Sequence, residues 1–155
     1  MLKLFIFLLF IYYTAFYREK CIEIFKSNLP IFFDQQELPL FENFLDHHTH
    51  ENYYLIKEGE QILACGGIFI DEIKGEASLA WGMVHAQHHK KGIGKLLTQY
   101  RLEIMKNCYP NKTYVLETSQ HTAAFYEKNG FHTIAIVQDG FGKGIDKYMM
   151  EMKNK

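Results

Sequence analysis

Apolar and polar positions alternate along this chain in short runs, and their spacing changes repeatedly between that of strands and that of helices. The apolar run from Leu4 to Tyr13 predicts a first strand. Two segments with helical spacing follow. The first stops before the Leu29-Pro30 pair, because the residue before a proline disfavours helix, and the second opens with Asp34 as a suitable N-cap. Their apolar faces comprise Cys21, Ile24 and Phe25 in the first helix and Phe41, Phe44 and Leu45 in the second.

Three β-rich runs come next, NYYLIKE, QILACGGIFID and EASLAWGMV, and the short turns between them predict an antiparallel meander. A helix then begins at Gly92, with apolar residues recurring at helical spacing from Ile93 and ending near Asn107 and Pro110. Beyond it, KTYVLETS predicts a strand and HTAAFYEKNG a short helix. The segments FHTIAIVQ and IDKYMMEM predict a hairpin across the loop DGFGKG. The predicted order of elements is β-α-α-β-β-β-α-β-α-β-β.

Length and charge narrow the classes of function. A chain of 155 residues with 48% hydrophobic residues suits a single domain spanning residues 1–155. The 17 basic and 18 acidic residues leave it nearly neutral, so no global field would attract nucleic acid or an anionic membrane. We therefore expect no nucleic-acid partner, and any anion must be recognised locally.

The cysteines and the N-terminus bear on location. Three cysteines, an odd number without CxxC spacing, argue against a disulfide framework and favour a reducing, cytoplasmic location. The uncharged run from Leu4 to Tyr17 resembles a signal-peptide core or a short membrane segment. It is shorter than the ~20 residues of a spanning helix, and no small-residue cleavage site follows. Residues 1–13 are therefore expected to hold the first strand, with membrane contact through residues 1–17 as the alternative.

The candidate chemistry lies in VHAQHHKKGIGK, where a strand ends at Val84 and a helix begins at Gly92 and Gly94. The first N–H groups of a helix lack intrahelical partners and carry the positive end of its dipole. Glycines there leave a ligand free to approach those groups. The stretch predicts a site for a pyrophosphate or ribose phosphate, with added positive charge from Lys90, Lys91 and Lys95.

Other interpretations of this stretch are weaker. His85, His88 and His89 lie in a turn without a nearby carboxylate or thiolate, whereas a closed zinc site normally needs four ligands. We therefore expect no metal. The P-loop pattern GxxxxGK[ST] is absent. A solvated basic helix start without a ligand is the alternative.

At these residues the chain resembles the GNAT-type N-acetyltransferases. Their acetyl-CoA motif is Gln or Arg, two residues, Gly, one residue, then Gly or Ala, and HKKGIG is in register with it, with His89 at the first position. In the family that position mainly lends its backbone amide. A second stretch, AAFYEKNGF from Ala123 to Phe131, is similar to the Phe-Tyr-x-x-x-Gly-Phe signature. The resemblance runs from about Tyr12 onward and implies an α+β (α/β) GNAT fold with a mixed, mostly antiparallel sheet of six to seven strands and about four helices.

The resemblance also implies acetyl-CoA as co-substrate and names the residues that bind it. In the family, the strand before the motif splays from its neighbour and offers main-chain groups to the pantetheine arm. Gly82 in that strand is then a candidate bulge, with a merely weak strand position as the alternative. Ser119 stands where many relatives place a cofactor-contacting Asn. The expected cofactor-binding residues are Met83, Val84, His89, Lys90, Lys91, Gly92, Ile93, Gly94, Lys95 and Ser119.

Two residues are candidates for catalysis. Tyr126 is the candidate acid facing the departing thiolate, with packing against Phe125 and Phe131 as the alternative. Glu117, near the end of the fifth strand, is the candidate base, although a carboxylate at a strand end is more often solvated. His121 is an alternative base because its ordinary pKa suits proton transfer at neutral pH.

Taken together, these residues favour an N-acetyltransferase acting on a primary amine of a small molecule, peptide or protein. Cys65 and Cys108 lack a convincing histidine partner, so direct attack in a ternary complex is preferred to an acetyl-cysteine route. The alternative function is a catalytically silent, acetyl-CoA-binding sensor or interaction module. The acceptor is left open, and a monomer or homodimer is expected.

Overall fold

A computed structural model describes residues 7–152 of the chain. The predicted order of elements is confirmed, although Leu4 to Ile6 of the predicted first strand lie outside the described residues. The elements are β1 (Leu8–Tyr12), α1 (Arg18–Ser27), α2 (Leu38–His47), β2 (Tyr53–Glu58), β3 (Gln61–Asp71), β4 (Glu76–Val84), α3 (Ile93–Cys108), β5 (Thr113–Thr118), α4 (Ala123–Lys128), β6 (Phe131–Gly142) and β7 (Ile145–Met152).

The seven strands form one sheet in the order β1-β2-β3-β4-β5-β7-β6. All neighbours are antiparallel except β4 and β5, so the predicted mixed, mostly antiparallel sheet is confirmed. The parallel pairing joins Glu76–Leu79 to Thr113–Leu116 and stops there. Since β4 continues to Val84, its last five residues have no partner in β5, and a gap opens in the middle of the sheet.

Alternate residues of the central strands pack under different helices. Tyr53 and Leu55 of β2 belong to the core beneath α1 and α2. Tyr54, between them, packs with Leu102 and Met105 of α3. Because successive side chains of a strand point to opposite faces, α1 and α2 cover one face of the sheet and α3 covers the other.

The start of α2 is more elaborate than its sequence pattern predicts. Asp34 accepts a hydrogen bond from Gln36 N (2.9 Å), and Glu37 accepts one from Asp34 N (2.8 Å), which completes a capping box. Residues 35–37 form a 3₁₀ turn and the α-helix begins only at Leu38. The predicted N-cap at Asp34 is therefore correct for the 3₁₀ turn that leads into the helix.

The last hairpin is tighter than predicted, because the expected loop DGFGKG is mostly strand. β6 extends to Gly142, and the register between β6 and β7 shifts between Val137 and Gly142. Asp139 stabilises this bulge and the turn that follows, since its carboxylate accepts a hydrogen bond from Gly144 N at 2.8 Å. The glycines thus permit an irregular strand and a two-residue turn instead of an open loop. No helix within residues 7–152 has the length and apolar character to cross a bilayer.

Candidate active site

The loop between β4 and α3 brings the predicted glycines to the start of a helix. Gly92 is the N-cap residue, and its φ of 81° is a left-handed conformation that favours glycine. A Cβ atom at Gly92 would meet nothing within 4 Å, so the backbone conformation, not packing, calls for glycine here. The space in front of the first N–H groups of α3 is open to a ligand.

The lysines around this point keep their charge unopposed. Lys90, Lys91 and Lys95 are exposed, and none pairs with a carboxylate among residues 7–152. The ε-amino group of Lys91 contacts His88 Nδ1 at 3.3 Å. Ile93 is different, because its side chain is buried in the core and only its backbone can serve a ligand. The helix start therefore combines free N–H groups with a local excess of positive charge.

The histidines of this loop hold its shape. His85 Nδ1 accepts a hydrogen bond from Gln87 N at 3.2 Å. His89 Nε2 lies 3.0 Å from the carbonyl oxygen of Val84, to which it donates. Burial, followed by the charges of Lys91 and His85, lowers the pKa of His88. Within residues 7–152 no group of three His, Cys, Asp or Glu side chains is arranged to hold a metal ion.

The free end of β4 carries the bulge expected at Gly82. Trp81 and Gly82 stand opposite the single residue Gly66, and Trp81 has a φ of 47°. The Trp81 carbonyl accepts a hydrogen bond from the Tyr53 hydroxyl at 2.8 Å. The carbonyl of Val84 is also engaged, since Asn28 Nδ2 donates to it at 3.0 Å in addition to His89. The bulge is thus fixed from both ends of the segment.

A cavity of about 870 Å³ occupies the gap between β4 and β5. It reaches the start of α3, the helix α4 and the connection between α1 and α2. Ten of the twelve predicted site residues line it. Lys91 and Ile93 are the exceptions, and the others are Met83, Val84, His89, Lys90, Gly92, Gly94, Lys95, Glu117, Ser119 and Tyr126.

Tyr126 projects from α4 as a half-buried residue of the cavity wall. Its ring makes edge-to-face contacts with Phe125 and Phe131, with centroids 5.0 and 6.3 Å away. The ring therefore packs against Phe125 and Phe131, as expected if Tyr126 has a packing role, and it also borders the cavity. Its hydroxyl makes no hydrogen bond to any residue from 7 to 152, which leaves it available to a ligand.

The remaining predicted residues are tied to local structure. Ser119 is 4% exposed, and its hydroxyl accepts a hydrogen bond from His121 N at 3.2 Å ahead of α4. Glu117 pairs with Lys147 across β5 and β7, at 3.5 Å. His121 is exposed, lies outside the cavity wall and makes an edge-on contact with Phe32 at 5.9 Å. The carboxylate of Glu117 therefore already has a cationic partner.

Two charged residues of the cavity were not anticipated. Arg101 of α3 is 1% exposed and lines the cavity. It donates to the carbonyl of Gly67 at 3.2 Å, and within residues 7–152 it has no acidic partner. A sequence signal existed, because Arg101 follows Leu97 by four positions and so shares its buried face.

Glu37 is the second unanticipated residue. It is 5% exposed, lines the cavity and forms no ion pair among the described residues. Burial raises the pKa of its carboxyl to about 7, and the hydrogen bond from Asp34 N only partly opposes this. The spacing Asp-x-x-Glu signals a capping box, but it does not signal that the carboxyl is buried.

Comparisons with known proteins agree with this geometry. A profile described as the acetyltransferase (GNAT) domain matches residues 49–133. A protein from Desulfovibrio desulfuricans assigned to the GNAT family of acetyltransferases has a similar structure, with a TM-score of 0.77 over 94% of this chain and 98% of that chain, at 18% identity. No curated protein sequence matches the chain.

Two further solved structures are similar. The ribosomal-protein-S18-alanine N-acetyltransferase of Escherichia coli has a TM-score of 0.75 over 94% of this chain and 93% of that chain, at 14% identity. A spermidine N-acetyltransferase chimera from Vibrio cholerae and hSSAT has a TM-score of 0.69 over 94% of each chain, at 16% identity. At such identities the likeness shows a common fold.

Proposed function

Because this chain belongs to the GNAT family of acetyltransferases, we propose that it transfers the acetyl group of acetyl-CoA to a primary amine by direct attack within a ternary complex. One observation supports this most strongly. The free end of β4 and the N-terminus of α3 border the same cavity, so a nucleotide phosphate and a thioester on one flexible arm can be held together.

The start of α3 supplies the anion site of this proposal. The N–H groups from Lys90 to Lys95 face the pyrophosphate, and Lys90, Lys91 and Lys95 offset its charge. The N–H group of His89, expected to bind the cofactor, instead donates to the Ala86 carbonyl at 3.4 Å. The pantetheine arm then enters the gap beside Met83 and Val84. The Val84 carbonyl already accepts from Asn28 and His89, so the arm is bound through other main-chain groups of this segment.

The reaction needs a nucleophile, an oxyanion donor and a proton for the leaving group. The unprotonated amine nitrogen forms a bond to the thioester carbonyl carbon, and the C–S bond breaks with its electron pair leaving on sulfur. The nitrogen gives up one proton and the thiolate takes one up, so the products are the amide and the CoA thiol. Main-chain N–H groups near the bulge at Gly82 stabilise the oxyanion. Tyr126 donates its phenolic hydrogen bond to the departing sulfur, and that contact strengthens as negative charge develops.

Direct attack is preferred because no cysteine of the described chain lines the cavity. Cys21 and Cys65 are fully buried, and Cys108 lies exposed at the end of α3. All three are free thiols, which fits the cytoplasmic location we propose. An amine acceptor is supported by the two similar structures, whose names specify an alanine residue of a ribosomal protein and spermidine.

An acceptor screen tests the proposal. Purified protein is incubated with acetyl-CoA and a panel of amines, while free CoA thiol is measured and acetylated products are identified by mass spectrometry. We expect CoA release that requires an amine and matches the acetylated product in amount. Tight acetyl-CoA binding without release for any amine would contradict the enzyme and favour the silent binding module.

A further inference from the structure

The wall of the cavity contributed by the α1–α2 connection carries a buried acid among aromatic rings. The rings are Phe33, Phe44, Trp81 and Phe141, which we call the aromatic wall. Trp81 joins two of them, with ring centroids 6.3 Å from Phe33 and 6.4 Å from Phe44. Phe141 adjoins the turn that contains Glu37, because its carbonyl accepts a hydrogen bond from Gln36 Nε2 at 3.1 Å.

Glu37 is the unpaired charge of this wall. Its carboxylate accepts one hydrogen bond, from Asp34 N at 2.8 Å, and it forms no ion pair within residues 7–152. Lys147 is the cationic residue whose charge lowers the pKa of Glu37. Its ammonium group nevertheless pairs with Glu117, at 3.5 Å. An isolated buried carboxylate is costly unless it is neutralised or finds a cation. The cavity beside Glu37 is where such a cation can enter.

The aromatic wall suits a cation with an apolar body. Ring faces attract ammonium groups, and Phe141 already shows this, because Lys147 Nζ lies 5.4 Å from its centroid. Trp81 also belongs to the free end of β4 and is part of the bulge near which the thioester is proposed to lie. A primary amine bound here would have its charged end at Glu37 and its apolar part against the rings.

We infer that Glu37 and the aromatic wall form the acceptor subsite, that the acceptor is a primary monoamine with an aromatic or apolar body, and that Glu37 is the catalytic base. This inference rests on the proposed function. The Glu37 carboxylate takes one proton from the bound ammonium, which frees the nitrogen lone pair to form the C–N bond. That proton later leaves for solvent. When the C–S bond breaks, the nitrogen gives up its second surplus proton and the CoA thiolate takes up one proton, so the products are the amide and the CoA thiol.

The protonation of Glu37 agrees with that role. The groups that act on it electrostatically are Asp34, on its own turn, and Lys147, on β7. Their effects oppose each other, and burial remains the dominant influence, raising the pKa to about 7. A base with a pKa near the working pH is the most effective at neutral pH.

The kinetic test uses 2-phenylethylamine as the monoamine probe and spermidine as the polyamine probe. We expect kcat/KM for 2-phenylethylamine to exceed that for spermidine at least tenfold and to rise as the pH increases through about 7. A protein that acetylates spermidine in preference overturns the acceptor inference but leaves the proposed function standing. A protein that acetylates no amine overturns both.

Glu37→Gln removes the base while its amide oxygen can still accept the hydrogen bond from Asp34 N. We expect kcat/KM for 2-phenylethylamine to fall about a hundredfold or more, the rise near pH 7 to disappear, and acetyl-CoA affinity to stay within twofold. Glu42→Gln, on the helix α2 that follows the turn of Glu37 but outside the cavity wall, is the matched control and should keep its activity. A loss of less than threefold in kcat/KM for Glu37→Gln overturns the inference. So does a rise in kcat/KM near pH 7 that persists in Glu37→Gln but disappears in Glu117→Gln.

A binding measurement with the wild-type protein needs no variant. With CoA, the reaction product, present in the solution, the protein should bind 2-phenylethylamine at least tenfold more tightly than 2-phenylethanol. The alcohol has the same ring and chain but no positive charge. Equal affinity for the two would show that the carboxylate does not recognise the amine, and this would overturn the inference.

Discussion

The guanidinium of Arg101 fills the place that a side chain at Gly82 would occupy. A Cβ atom built on Gly82 would lie 2.6 Å from Arg101 Nη2 and 3.0 Å from Nη1. The φ of Gly82 is not in the left-handed region, so this contact, and not backbone strain, makes the position selective for glycine.

Gly82→Ala is therefore expected to destabilise the protein by about 1–3 kcal/mol, since the displaced guanidinium is buried and bonded to Gly67. Thermal and urea unfolding measure the effect. The matched variant is Gly82→Ala combined with Arg101→Met, in which the crowded group is gone. The two substitutions should couple favourably in a double-mutant cycle, and simple additivity would show that the contact is not the cause.

Stability should depend on pH through Glu37. Burial raises its pKa from 4.5 to about 7 in the folded protein, so the folded state retains a proton that the unfolded state has already lost. The contribution to the free energy of unfolding is complete below about pH 4.5 and is lost as the pH rises through about 7. Each pKa unit corresponds to about 1.4 kcal/mol.

Urea unfolding from pH 4.5 to 8 tests this expectation in the wild type and in Glu37→Gln. The wild type should lose about 3 kcal/mol more across the window than the variant, which has no proton to release at this position. Parallel pH dependences in the two proteins would mean that the Glu37 carboxyl titrates normally. The comparison cancels the contributions of all other groups, because the two proteins share them.

Tyr126→Phe separates a role at the sulfur from a packing role. The phenyl ring keeps the contacts with Phe125 and Phe131, so the melting temperature should change little. We expect kcat to fall at least tenfold with acetyl-CoA affinity nearly unchanged, because the hydrogen bond strengthens only as charge builds on sulfur. A loss below about threefold, with chemistry rate-limiting, would leave Tyr126 as a packing residue.

Removal of residues 1–13 tests the first strand. β1 is an edge strand whose register pairs Leu8 with Glu58 and Tyr12 with Tyr54. The Phe10 ring also stacks on Tyr100 of α3, with centroids 3.9 Å apart. The truncated protein should be insoluble because the edge of β2 and an apolar helix face become exposed. Soluble, active truncated protein would instead indicate a dispensable segment.

Phe10→Ala is the milder companion to that truncation. It should keep the strand but cost at least about 1 kcal/mol of stability through loss of the stacked pair. Chemical unfolding compares it with the wild type, and an unchanged free energy of unfolding would show that the pair with Tyr100 contributes nothing.

The elements that the sequence predicts correctly are those set by local pattern. The place of Gly92 at the start of α3 follows from the sequence because a strand, a turn, a glycine and an apolar-periodic helix follow one another directly. The place of Tyr126 on α4 follows from a similarly local signature, while the roles of both residues stay predictions. The glycines from Gly140 to Gly144 predict an open hairpin loop that is longer than the turn in the structure. Much of this stretch lies instead in a bulge of β6, whose register depends on pairing with β7 and not on local turn propensity.

The residues missed by sequence reasoning are set by distant contacts. Glu37 is buried in a cavity whose wall includes Phe141, about a hundred positions later in the chain. Arg101 of α3 fits against the sheet only because Gly66 of β3 and Gly82 of β4 lack side chains. The Asp-x-x-Glu spacing indicates the capping box and the spacing from Leu97 indicates a buried face for Arg101, but neither local pattern shows the cavity that the two side chains line.

The central claim is that the N-terminus of α3 binds the pyrophosphate of acetyl-CoA. Gly92 allows a matched pair of variants, Gly92→Glu and Gly92→Gln, which share the same size and the same strain at a φ of 81°. They differ only in a negative charge placed at the open helix start. Repulsion from the phosphates should therefore separate them.

Calorimetric titration with acetyl-CoA, on variants confirmed to be folded, is the direct measurement. We expect Gly92→Gln to keep measurable affinity and Gly92→Glu to bind at least a hundredfold more weakly than Gly92→Gln. The difference in acetyl-CoA affinity between the two variants should become smaller as salt is added, because the charge introduced by Gly92→Glu is exposed to solvent. Equal affinities for acetyl-CoA in the wild type and both variants would contradict the site at the start of α3.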